Sequence, residues 1–128
     1  MKIIYQNFIT RQDLKANPDK VYLFGDNLQK QGLGGQAKEM RGEPNAIGIP
    51  TKKKPSNSDD SFMSDLEYNE NVIAIDEAFN KIPIDKTIVI PSAGLGTGLA
   101  KLDIRAPKTF SYLQTRLKQL ITEDNKLC

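Results

Sequence analysis

The sequence predicts a three-layer α/β/α domain built on a mixed, mostly parallel sheet. Three observations carry that expectation. Strand-like and helix-like segments alternate along the chain, the pattern of helices crossing over a sheet. The strand-like runs Val21–Phe24 and Thr87–Ile90 lack polar–apolar alternation, as expected of strands covered on both faces. Each of those runs passes directly into a glycine-rich loop and then a helix.

In chain order, Lys2–Tyr5 reads as a short strand, apolar and β-branched. Thr10 is placed to cap a helix over Arg11–Ala16, which Asn17-Pro18 stops. Val21–Phe24 follows as a strand, then the loop Gly25–Gly35, then a helix over Gly34–Met40 closed by Arg41-Gly42. Ala46–Ile49 reads as a strand ended by Pro50. The polar stretch Lys52–Asp60, KKKPSNSDD, reads as the least structured segment. Val72, Ile75, Phe79 and Ile82 recur at steps of three and four and predict a helix over Asn69–Ile82. Thr87–Ile90 is a strand and Ser92–Leu99 the second glycine-rich loop. Pro107 opens the last helix, with Phe110, Leu113, Leu117, Leu120 and Ile121 as its apolar stripe. The tail EDNKLC reads as frayed. Val21–Phe24, Ala46–Ile49 and Thr87–Ile90 are expected to be internal to the sheet.

Composition narrows the chemistry. A chain of 128 residues has room for one core. It has no histidine and one cysteine, Cys128, at its end. Ser–His and Cys–His nucleophile pairs are therefore excluded, along with histidine-based metal sites and an internal disulfide. No metal or cofactor is expected. A net charge of +2 does not by itself imply a nucleic-acid partner. No apolar run is long enough for a membrane span, and the start MKIIYQNF lacks a secretory pattern. The expectation is a cytoplasmic protein, in the host cytoplasm if viral.

The two glycine-rich loops are the informative feature. VYLF runs into GDNLQKQGLGGQ, and TIVI runs into PSAGLGTGLAKLD. In open α/β sheets, ligands bind where strands deliver loops at their carboxyl ends. Glycines let backbone approach a ligand, and exposed amides favour phosphate. The opposing reading is that both loops are simply turns. GxxxxGK[ST] is absent, and Gly94-Leu95-Gly96-Thr97-Gly98 lacks the last glycine of the dinucleotide fingerprint.

These segments resemble the macro domain, the ADP-ribose-binding module. Asp26-Asn27 followed by Gly32, Gly34, Gly35 and Ala37 matches its first loop, and PSAGLGTG its second phosphate loop. The strand end AIGIPTKKKPS is similar to the branch that includes the terminal ADP-ribose glycohydrolase. The pattern GDN…GGQA…MRGEPNA…IPTK is also similar to a group of small phage and bacterial proteins. The resemblance spans roughly residues 20–121. It implies a macro-domain-like fold, an adenine-nucleotide ligand such as ADP-ribose, and contacts from Asp26, Asn27, Gly32, Gly34, Gly35 and the loop Ser92, Ala93, Gly94, Leu95, Gly96, Thr97 and Gly98. It also implies Lys52 as a candidate nucleophile. The chain departs from the pattern where that branch carries an Asp after the second loop's glycines. Here Leu99 and Ala100 follow Gly98, and the nearest carboxylate is Asp103. A strand after the last helix, usual in macro domains, has no sequence to form it.

Each candidate has a plainer role open to it. Asp26 and Asn27 are prone to Asx-turns. Lys52, Lys53 and Lys54 form a run that a solvated loop explains, and Lys52 can equally be a phosphate or ribose contact. Asp103 can be a helix cap. A structural role is favoured for Arg41 and Glu43. Thr97 can serve phosphate or its own turn. Phe62 and Tyr68 can form a lid or anchor the loop. The leading expectation is a nucleotide binder that sequesters its ligand. The alternatives are an ADP-ribosyl hydrolase and an interaction module without a small-molecule ligand. A specific nucleic-acid partner is least favoured, because basic residues are interspersed with acids such as Asp59, Asp60 and Asp65.

Overall fold

The computed structural model describes residues 1–127, with side chains described through Thr122. Four strands, β1 (Lys2–Gln6), β2 (Lys20–Asn27), β3 (Ala46–Lys52) and β4 (Thr87–Pro91), form one sheet in the order β1-β4-β2-β3. Every strand pair is parallel, so the sheet is not mixed as expected. Among the described residues the single antiparallel feature is an isolated bridge between Lys52 and Phe62. The helices are α1 (Arg11–Ala16), α2 (Ala37–Met40), α3 (Tyr68–Phe79), α4 (Leu102–Arg105) and α5 (Pro107–Leu127). No helix is long and apolar enough to cross a membrane, among the described residues.

Alternate residues of the two central strands face opposite cores, as strand geometry requires. Val21, Leu23, Ile88 and Ile90 pack with residues of α3, α4 and α5, including Ile75, Leu102, Leu113 and Leu117. Tyr22, Phe24 and Val89 pack on the other face with Ile9, Leu14, Ala37 and Met40, from α1, α2 and the loop before α1. Helices therefore cover both faces, which explains the unbroken apolar runs of β2 and β4.

Three sequence expectations change. Ala46–Ile49 is not internal: β3 is an edge strand, and it continues through Pro50 to Lys52. A proline is tolerated there because an edge strand has one unpaired side. β2 runs on through Gly25, Asp26 and Asn27, which pair with Ile49, Pro50 and Lys52, so the first loop begins only at Leu28. KKKPSNSDD is not loose. Lys53 and Lys54 donate their backbone N–H groups to Ser61 O, and their ammoniums pair with Glu67 and Asp60. The expected fraying of the tail concerns Glu123–Cys128, outside the residues whose side chains are described.

The ends of the helices follow their chemistry. Thr10 and Asp13 form a reciprocal capping box on α1. The start of α5 is capped from a distance. Ala106 has no side-chain acceptor and Pro107 has no N–H, so the next two donors are those of Lys108 and Thr109. Both are taken by the carboxylate of Asp65, at 2.9 Å each, and the Thr109 hydroxyl donates to it as well. Burial pushes the Asp65 carboxyl up, but these three hydrogen bonds and the Lys108 charge outweigh it and hold the group below its ordinary value.

A carboxylate with a lowered folded pKa adds stability above its unfolded pKa, and loses it as pH falls through the folded value. Asp65→Ala is therefore expected to cost about 1–2 kcal/mol at neutral pH, the range of a lost helix cap. The difference from the parent chain should shrink below about pH 4. Urea unfolding followed by circular dichroism across pH measures both; a cost that stays constant into acid contradicts the assignment.

Candidate functional site

All strands point one way, so their carboxyl ends, Gln6, Asn27, Lys52 and Pro91, lie along one edge. The neighbours β2 and β4 pair over only three positions, Lys20–Tyr22 with Thr87–Val89. Beyond them the chain leaves β2 toward α2 on one face and leaves β4 toward α4 and α5 on the other. Adjacent parallel strands whose connections depart in opposite directions leave a crevice between them. A cavity of about 570 Å³ opens there, lined by both glycine-rich loops. A second, of about 290 Å³, continues past Gly25, Gly34, Thr51, Leu99 and Ala100, which border both.

The second loop folds back over the end of β2. A Cβ on Gly25 would lie 4.0 Å from the Gly96 nitrogen and 3.3 Å from Thr51 Oγ1. Gly96 has φ +86°, and its O accepts from Leu102 N at 2.7 Å. A side chain at Gly96 would meet Leu102 Cβ at 3.1 Å, so this glycine also serves the fold. Thr97 Oγ1 donates to Ala93 O at 3.0 Å, the turn-stabilising role. Leu99 reaches across to the first loop, where a Cβ on Gly34 would lie 3.2 Å from Leu99 Cδ1. Among the described residues, the N–H groups of Leu95, Gly96, Thr97, Gly98 and Leu99 have no backbone acceptor, nor do those of Gly34, Gly35 and Gln36. All eight residues line the larger cavity, and amides left free in such loops suit an anionic ligand.

The first loop is pinned by polar side chains. Arg41 clamps the Asp26 carboxylate, with Nη2 at 2.6 Å and Nη1 at 3.3 Å, and donates to the carbonyls of Gly32 and Gln31. The Asp26 side chain is 8% exposed. It crosses β3 at Gly48, where a Cβ would come within 2.5 Å of it, so only glycine fits. The Asn27 side chain bonds both the N–H and the O of Gln31. Asp26, Asn27, Gly32, Gly34 and Lys52 line the smaller cavity. Gly34, Gly35 and Ser92–Gly98 line the larger. Glu43 pairs with Arg11, and Asn45 bonds the Leu14, Asn17 and Lys20 carbonyls. MRGEPNA is thus a structural segment tying α1, the first loop and β2 together.

Asp103 lines neither cavity. It is exposed on α4, whose N-cap is Lys101, so it is not the cap either. Lys52 ends β3 with its ammonium 4.8 Å from the centre of the Phe62 ring. Burial, and then the positive charge of Lys101, hold its pKa below the usual lysine value. Phe62 is buried, and Tyr68 packs edge-on against Tyr112, so both act as anchors.

One residue at the cleft escaped the sequence reading. Phe8, after β1, lines the larger cavity beside Gln6 and Asn7, yet is 93% exposed. Its φ of +53° is rare for a bulky residue and costs on the order of 1–3 kcal/mol. A lone aromatic at a strand end carries no periodic signal, and only the tertiary fold brings β1 beside β4.

Arg41→Met leaves the Asp26 carboxylate buried without its cation. The expected cost is about 3 kcal/mol, the low end for a broken buried pair because Arg41 is partly exposed. Adding Asp26→Asn should recover part of it. Chemical denaturation of the two variants is the measurement, and an unchanged midpoint in Arg41→Met contradicts the clamp.

No curated protein and no solved structure matches the chain. One family model does, over residues 4–116, a span that takes in β2, β3, β4, most of β1 and every residue lining the two cavities. The chain belongs to the family of unknown function DUF7831.

Proposed function

We propose that this protein is a cytoplasmic macro-domain-like binder of ADP-ribose or a related adenine nucleotide, which it holds without turnover. The observation that carries the reading is the crevice between β2 and β4, where two glycine-rich loops converge with unpartnered amides. A diphosphate suits that environment, because loop amides without backbone acceptors belong to residues that line one cavity. Phe8 offers an exposed ring at one end of the cleft for a base to stack on. The resemblance of the two loops to the macro domain supplies the choice of adenine nucleotide.

The preference for binding over turnover rests on the carboxylates. Asp26 is the only one lining either cavity among the described residues, and it is held by Arg41. Asp103 faces solvent. Release of a covalent lysyl adduct needs an activated water, hence a nearby acid or base. One observation favours the alternative, an ADP-ribosyl hydrolase: the lowered pKa of Lys52 is what a lysine nucleophile requires. The interaction-module reading predicts no small-molecule binding at all.

Calorimetry with ADP-ribose separates these. Gly34→Val and Gly98→Val should abolish binding while helix content is unchanged. A Cβ at Gly98 meets nothing within 4 Å, and one at Gly34 meets only the flexible end of Leu99. Phe8→Ala should weaken binding about tenfold, the scale of base–aromatic stacking. Parent-like affinity in both glycine variants rejects the cleft. A lysyl adduct trapped from ADP-ribosylated substrate, or turnover lost in Lys52→Ala, selects the hydrolase.

A further inference from the structure

The two edges of the sheet are built differently. In a parallel ladder, alternate residues of a strand bond one neighbour, and those between turn their N–H and C=O to the other side. On β3, Asn45 O accepts from Tyr22 N, so Ile47 and Ile49 bond β2 while Ala46, Gly48 and Pro50 face outward. The Ala46 N–H is taken by Glu43 O, and Pro50 has no N–H. Among these three an outward donor remains only at Gly48, and the carboxyl end of β3 is tied to the chain by the Lys52–Phe62 bridge. Protein sheets guard their edges by such means.

The β1 edge has no such guard. Lys2 N donates to Lys86 O and Gln6 O accepts from Ser92 N, so Lys2, Ile4 and Gln6 bond β4. Ile3 and Tyr5 therefore direct their N–H and C=O groups away from the sheet, where no backbone partner takes them among the described residues. The strand holds no proline and its register is unbroken. Tyr5 pairs with Ile90, on the same face as Ile3 and the core beneath α5, yet it is 52% exposed. On that face α3 packs on β3 and α5 reaches β1. Tyr112 and Arg116 turn the near flank of α5 to α3 through Asp76. The opposite flank, with Phe110, Gln114 and Ile121, lies toward the β1 edge and is half-buried.

We infer that two copies of this chain join along β1, antiparallel, into one continuous sheet with a twofold axis at Ile4. The chemistry of the strand points to its own copy as the partner. Centred on Ile4, the register pairs the whole strand, with Lys2 opposite Gln6 and Ile3 opposite Tyr5 of the second copy. The free groups match, because Ile3 and Tyr5 then form a mutually hydrogen-bonded pair and Ile4 meets its copy at a non-hydrogen-bonded position. A β-branched residue opposite an aromatic one is a favourable cross-strand pair. Lys2 lies opposite an uncharged side chain, so like charges do not meet. The contact is isologous and closes at two copies. A stable interface buries roughly 1,200 Å² or more in total, more than two five-residue strands supply. The twofold brings both α5 flanks to the same side of the joint sheet, and their half-buried apolar residues supply the remainder. This interface does not depend on the nucleotide reading.

Sedimentation equilibrium of the full chain over a wide concentration range should show a dimer. Tyr5→Pro removes an outward donor at an edge position that tolerates proline. It should give a monomer with an unchanged circular dichroism spectrum. Tyr5→Lys keeps the backbone donor but sets a charge on the apolar face, and should weaken the dimer at least about tenfold; it decides the matter if Tyr5→Pro fails to fold. Cross-linking reads the register, with Cys128→Ser as background. Ile4→Cys places two thiols about 4.5 Å apart at Cα, within disulfide reach, and should oxidise to a covalent dimer. Lys2→Cys places them on the order of 14 Å apart and should not. A parent chain that is monomeric at every concentration, a dimer that survives both Tyr5 variants, or Ile4→Cys cross-linking no better than Lys2→Cys overturns the inference.

Discussion

Two neighbouring parallel strands hand their chains to opposite faces of the sheet, and the rest of the structure follows from that. β2 and β4 share only three paired positions before they part. What keeps them apart is the destination of each chain. Ala37 and Met40 of α2 belong to the core beneath Tyr22 and Phe24, while Leu102 of α4 belongs to the core beneath Leu23 and Ile88. Hydrophobic burial on the two faces therefore pulls the two loops in opposite directions. The crevice is the gap this leaves, and six of the residues lining its larger cavity are glycines.

Polar residues around the crevice divide into those that hold the loops and those left over. Arg41, Asp26, Asn27 and Asn45 spend their hydrogen-bonding capacity on the protein itself. Their partners are mostly backbone carbonyls of irregular segments, groups that would otherwise be left without donors. The same economy explains Asp65, which caps α5 from another element because neither Ala106 nor Pro107 can. Against this background of satisfied groups, the loop amides, Phe8 and Lys52 stand out. Each belongs to a residue that lines a cavity; among the described residues the loop amides have no backbone acceptor and Lys52 has no carboxylate within ion-pair distance.

Charge is distributed along the cleft with the same asymmetry. The larger cavity, which Phe8 lines, has no charged lining residue, while the smaller one has the Asp26–Arg41 pair and Lys52. Where the hydrolase branch that the loops resemble carries an acid after the loop glycines, this chain carries Leu99 and Ala100. Leu99 lies against Gly34 and joins the two loops by an apolar contact.

Local chemistry was legible in the sequence. The Thr10 cap, the stop at Asn17, the start of α5 at Pro107 and the two-faced character of β2 and β4 depend on neighbours within a few residues, and all are where the sequence placed them. So was the presence of two glycine-rich loops after buried strands. Strand order was not legible, because a parallel strand records that both its faces are covered but not which strand lies beside it. That is why Ala46–Lys52 proved to be an edge and Pro50 did not end it. The partners of charged side chains were equally invisible, since Arg41 meets Asp26 and Asp65 meets Lys108 across 15 and 43 residues of chain. The sequence by itself determined the elements and the chemistry of the loops. Only tertiary packing decided that β1 brings Phe8 to the same cleft, and that Lys52 stands there without an acid, because both depend on contacts between segments far apart in the chain.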